Sequence, residues 1–158
     1  MNIHTKLLSA ISLATISVLF GIQCLAIYNT ETYIRKSLDE FVQGYTNKDI
    51  DMTMRIFAPD VIANVQQVDC ERTYKDIRAG ILKDFSDDEV RYNYSYDIKE
   101  ILCSNTMAIV RIVWILDIID AETNKIIKTT KEVGMDIFKP YGDSWQLFRF
   151  IAYAKEKE

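Results

Sequence analysis

Histidine is almost missing from this chain of 158 residues: the one copy, His4, stands in an N-terminal stretch that the sequence marks as separable. The remainder lacks the usual base of Ser-His-Asp and Cys-His mechanisms and a principal ligand of zinc and iron. Neither such a catalytic centre nor a His-ligated metal is expected. Proline and glycine are scarce, at two and five, and they supply neither an interdomain linker nor a glycine-rich phosphate loop. Clustered Lys and Arg are absent as well, and with a net charge of −4 a nucleic-acid surface is excluded. The three cysteines, Cys24, Cys70 and Cys103, have no metal-site spacing.

What is present begins with a leader. Lys6 is followed by an apolar run from Leu7 to Ile22, broken only by small hydroxyl residues, and the run closes on Cys24-Leu25-Ala26. That pattern predicts a secretory signal peptide over residues 1–26 with cleavage after Ala26. The alternatives are an uncleaved membrane anchor over residues 7–27, long enough to span a bilayer, and lipidation at Cys24, which the preceding Gly21-Ile22-Gln23 fits poorly. Residues 27–158 then form one domain, exported to the periplasm or secreted, with 18 basic and 23 acidic residues and no histidine. Export would permit a Cys70–Cys103 disulfide; two separate buried thiols are the other reading.

The first half of this domain reads as helical. Residues Thr30 to Thr46 carry Ile34, Leu38, Phe41, Val42 and Tyr45 on one face at helical spacing. Asp49 caps a short second helix running to Phe57, which Pro59 stops, and a strand follows over Val61 to Val68. Thr73 and Asp76 form a capping box for a third helix with Tyr74, Ile77, Ile81, Leu82 and Phe85 on its apolar face.

After Val90 the period changes to two. Tyr92, Tyr94, Tyr96 and Ile98 alternate with polar residues, and turns at Asp120–Lys125 and Tyr141–Ser144 separate strands over Thr106–Asp120, Ile126–Phe138 and Trp145–Ala154. The run TMAIVRIVWILDIID, Thr106 to Asp120, is apolar on both faces apart from Arg111 and Asp117. It reads as a central strand covered on both sides. Helices followed by a meander make an α+β domain, its helices on one face of a curved antiparallel sheet.

Two stretches carry a resemblance. FVQGYTNKDIDMTMRIFAPDVIANV (Phe41 to Val65) and MDIFKPYGDSWQLFRFIAYA (Met135 to Ala154) resemble the opening helices and closing hairpin of SnoaL-like members of the nuclear transport factor 2-like superfamily. The resemblance implies a cone-shaped sheet, three N-terminal helices packed on its concave face, an apolar pocket between them and a homodimer through the outer face. It implies a pocket lined by Phe41, Tyr45, Phe57, Gly134, Asp136, Phe148 and Phe150. Where the family's ketosteroid isomerases carry a tyrosine, a carboxylate base and a second acid, it sets Phe41, Val65 and Gly134, so that isomerase chemistry is not expected. A slip of one or two residues would bring Tyr45, Asn64 or Asp136 into the same space.

Asp136 and Glu132 are the two catalytic candidates, since carboxylates on an apolar wall can exchange protons with a substrate. Their structural reading is ion pairing with Lys128 and Arg149, as for most such carboxylates. Arg111 with Asp117 reads as a cross-strand pair, and the tyrosine ladder as packed sheet face. The expected function is binding of a small hydrophobic ligand, without metal or cofactor. The alternatives are a scaffold module that dimerises through its sheet, and a metal-independent isomerase or lyase.

Overall fold

The computed structural model describes residues 29–65 and 71–154, so the leader, Cys24 and Cys70 lie outside the described residues. Helix α1 covers residues 29–46 and buries Ile34, Leu38, Phe41 and Tyr45. It ends in a Schellman arrangement: Lys48 takes φ 53°, Asp49 N–H donates to the Gly44 carbonyl and Lys48 N–H to that of Tyr45. Gly44 is required there, because a Cβ would lie 2.7 Å from both the backbone nitrogen and Oγ1 of Thr53. The close approach seats α2 (Ile50–Met54) against α1.

Asp49 caps α2 as expected, accepting from Met52 N–H, but the helix stops at Met54 and Phe57 opens strand β1 (Phe57–Val65). Pro59 therefore falls inside a strand, within the stretch where the pairing of β1 with its neighbour shifts register. An irregular segment tolerates a residue that cannot donate to the ladder. A two-residue strand β2 (Arg72–Thr73), not foreseen, precedes α3 (Tyr74–Phe85). The Thr73–Asp76 box is present, with Thr73 N–H and Oγ1 both donating to Asp76 Oδ2. On α3 only Ile77 and Ile81 are buried, and Leu82 is turned to solvent.

Strands β3 (Val90–Cys103), β4 (Ala108–Asp120), β5 (Ile126–Tyr141) and β6 (Ser144–Ala154) form the meander. The sheet order is β2-β1-β6-β5-β4-β3, which corrects two expectations. The run Thr106–Asp120 is not central but lies one strand in from the β3 edge. The sheet is also not wholly antiparallel, since β1 runs parallel to β6. The α+β class holds, with helices packed on one face of a curved, open sheet. Its core joins Ile34, Leu38 and Phe41 of α1 to Ala108, Val110 and Ile112 of β4 and Phe138 of β5.

The opposite face of β4 is not fully covered. Val133, Met135 and Tyr153, which share that outer side on β5 and β6, are 44%, 40% and 54% exposed. Arg111 and Asp117 do not pair with each other there: Arg111 bridges to Glu100 at 3.2 Å, and Asp117 accepts from Thr129 Oγ1. No helix among the described residues is long and apolar enough to cross a membrane.

Candidate functional site

A cavity of about 390 Å³ opens between α1, α3 and the concave face of the sheet. Alternation along β3, β4 and β5 points Tyr94, Trp114, Glu132 and Asp136 into it, and β6 adds Leu147 and Phe150. Helix α1 supplies Phe41 and Tyr45, the α2–β1 junction Ile56 and Phe57, and α3 contributes Ile77, Gly80, Ile81, Lys83 and Asp84. Arg72 completes the lining. Phe41 is the hub of the aromatic wall, its ring centroid 5.4 to 5.9 Å from those of Trp114, Tyr94, Tyr45 and Phe57. Most of these rings meet edge to face, the arrangement their quadrupoles favour.

Asp136 is the buried charge-bearing group of this space, 2% exposed. The β4–β5 register sets Trp114 opposite Glu132, with Gly134 and Asp136 following on the same face. Trp114 Nε1–H reaches past Gly134 and donates to Asp136 Oδ2 at 3.1 Å. Asp136 Oδ1 has no hydrogen-bond partner among the described residues. Asp136 itself lines the cavity. Burial pushes the carboxyl up to about 7, the indole hydrogen bond opposing the rise only in part. The expected pairing with Lys128 or Arg149 is absent: Arg149 Nη1 donates to the Asp60 and Phe148 carbonyls.

Glu132, the other carboxylate candidate, is half-buried. Four residues along one strand separate it from Asp136 by roughly 13 Å of backbone. The two stand at different depths and do not form a close acid–base pair. Tyr45 OH donates to Asp84 Oδ2 at 2.5 Å, tying α1 to α3 across the site. Burial and neighbouring phenol and carboxylate groups hold the Tyr45 and Tyr94 hydroxyls far above their ordinary range, so both stay protonated. Tyr96 donates to Asp39 and is pushed up to about 12, mainly by burial.

Of the residues expected at the pocket, Phe41, Tyr45, Phe57, Asp136 and Phe150 lie on the cavity wall, and Gly134 and Phe148 do not. Gly134 instead packs closely against β6; a Cβ there would stand 3.1 Å from the Ile151 carbonyl oxygen. Phe148 is turned away by a register shift between Ile137 and Phe138, after which Leu147 takes the inward place. Its ring packs beneath Lys139 and Arg149. Asn64 is exposed. The Tyr45–Asp84 bond went unforeseen because its partners are 39 residues apart; Trp114 was not singled out, and the signal for it is its phase on β4, opposite to that of Arg111 and Asp117.

Cys103 is a free thiol whose pKa is raised by burial and by Glu31. No group of three or more potential metal ligands occurs among the described residues.

This architecture is the nuclear transport factor 2-like fold. A solved nuclear transport factor 2-like protein of unknown function from Shewanella oneidensis superposes with a TM-score of 0.66 at 19% identity, covering 78% of this chain and 98% of that one. A nuclear transport factor 2-like superfamily protein from Salmonella enterica gives 0.67 at 9%, covering 82% and 94%. A ketosteroid isomerase-like protein from Erwinia carotovora gives 0.62 at 16%, covering 80% and 96%. No protein-family model and no curated protein sequence matches the chain.

Proposed function

We propose that the chain is an exported pocket protein that binds a small, largely apolar molecule between its helices and sheet. The observation that carries this reading is the 390 Å³ aromatic-walled cavity with Asp136 buried on its wall and its Oδ1 without a partner among the described residues. A buried carboxyl held near neutrality is expensive to maintain, and such groups concentrate at ligand and catalytic sites. If the ligand is also a substrate, Asp136 is the group that would take or give a proton at neutral pH, as in an isomerase or lyase without metal. The test is whether the purified protein carries a small molecule that a cavity-filling Gly80→Leu variant does not. Gly80 lines the cavity, and a Cβ built on it meets nothing within 4 Å.

A second reading concerns the outer sheet face. Val133, Met135 and Tyr153 form an exposed apolar strip beside Val113, Ile115 and Ile151, with the Arg111–Glu100 ion pair near its edge. We propose that a second copy covers this strip, because an apolar centre with a polar edge can complement itself about a two-fold axis. Met135→Glu would bury two carboxylates at such an interface. The variant is expected to sediment as a monomer where the wild type sediments as a dimer, and a wild type that is monomeric at high concentration rules the interface out.

A further inference from the structure

The chemistry of the cavity narrows the ligand. We infer that the pocket takes a small organic cation, a protonated amine on an aromatic or short aliphatic body, with its ammonium hydrogen-bonded to Asp136 Oδ1. This rests on the proposal that the cavity is a ligand site.

Three observations carry it. The first is the inner end itself: Asp136 is buried, its Oδ2 is held by the Trp114 indole, and its Oδ1 has no donor among the described residues. A buried carboxylate needs donors or a cation nearby, and the described residues give Asp136 no ion pair. A ligand ammonium supplies both the charge and the donor.

The second is the wall. The rings of Phe41, Tyr94 and Trp114 stand at steep angles to one another, 68° to 86°, with centroids 5.4 to 6.0 Å apart. They pack edge to face against one another and together line the cavity beside Asp136, an aromatic wall whose π electrons favour a cation over an anion.

The third is the sign and placement of charge. Asp84, Glu132 and Asp136 face the cavity as acids, whereas the two cations in its lining, Arg72 and Lys83, are solvent-exposed. Among the described residues the enclosed end therefore offers no positive group to an anion.

Three other titratable groups surround Asp136 in the cavity besides Arg72, Lys83 and Asp84: Tyr45 from α1, Tyr94 from β3 and Glu132 on its own strand. Both phenols keep their protons through neutral pH, and burial brings the ionisation of Asp136 to about pH 7. An amine binds the ionised form. Its affinity is expected to rise roughly tenfold or more between pH 5.5 and 8, whereas a carbonyl ligand needing the protonated form would weaken over the same interval.

Isothermal titration with benzylamine, benzyl alcohol and phenylacetate, on wild type and Asp136→Asn, decides the matter. The expected result is benzylamine tightest, strengthening with pH, and at least tenfold weaker in Asp136→Asn, where its preference over benzyl alcohol is lost. Benzyl alcohol equal to or tighter than benzylamine overturns the cation inference and leaves the pocket reading standing. Phenylacetate tightest overturns it in favour of the exposed Arg72 and Lys83. Saturable binding of none of the three contradicts both readings.

Discussion

At pH 8 the Asp136→Asn protein is expected to be more stable than the wild type by up to roughly 4 kcal/mol, and at pH 4 to be nearly equal to it. The sign follows from burial. Desolvation raises the Asp136 carboxyl from 3.8 to about 7 in the folded chain. Below pH 4 the group is protonated whether the chain is folded or not, and it contributes no pH dependence. Between about 4 and 7 the unfolded chain gives up the proton and the folded chain keeps it, so folding becomes progressively less favourable. Above 7 both states are ionised and the loss levels off. Asparagine preserves the shape, can still accept from Trp114, and has no charge to desolvate. Asp60, Asp76 and Asp120 are held below the ordinary carboxylate range by hydrogen bonds from Lys139, Thr73 and Thr123. Their acid-side losses are common to both proteins and cancel in the comparison. Urea unfolding at several pH values measures the difference directly, and a difference that does not change with pH would place Asp136 in contact with solvent. A residue that lowers the stability of its own fold at neutral pH is what a binding or catalytic role would retain.

Phe41→Ala is expected to cost about 3–5 kcal/mol, and Phe150→Ala markedly less. Both rings line the cavity, but their surroundings differ. Phe41 is 9% exposed and touches four aromatic rings drawn from α1, β1, β3 and β4, so its removal uncouples the first helix from the sheet. Phe150 is half-buried and meets Phe57 alone among the rings, at 6.3 Å. Its truncation mainly widens a space that is already open. Denaturant midpoints of the two variants therefore separate the core from the cavity wall: equal losses would mean that the space closes in solution and both rings are core.

Periodicity made most of the fold legible. The helical stripe of α1, the Asp49 cap, the Thr73–Asp76 box and the alternation of β3 are local features, and the structure reproduces each. What failed was non-local or broke the period. The parallel pairing of β1 with β6 depends on how the sheet curls, which no local pattern records. Strict alternation placed Phe148 with Phe150, and the register shift beyond Ile137 gave the inward place to Leu147. Arg149, paired with Ile137, lies on the face opposite Asp136 and bonds to the Asp60 and Phe148 carbonyls, so the ion pair expected for Asp136 does not form. The run from Thr106 to Asp120 announced two apolar faces correctly, but the described chain covers only one of them. Asp136 could be placed on the pocket face from its phase with Phe138; that its one hydrogen bond would come from an indole across Gly134 could not.

Native mass spectrometry of the purified protein, wild type beside Gly80→Leu, tests the binding role of the cavity most directly. The expected result is a bound species of a few hundred daltons at most, acquired during expression or from metabolite extract. It should be retained by the wild type and absent from a Gly80→Leu variant that is no less stable, since leucine is the better helix former at that site. A wild type that stays at its bare mass after exposure to such extracts, or a variant that carries the same species, would contradict the account.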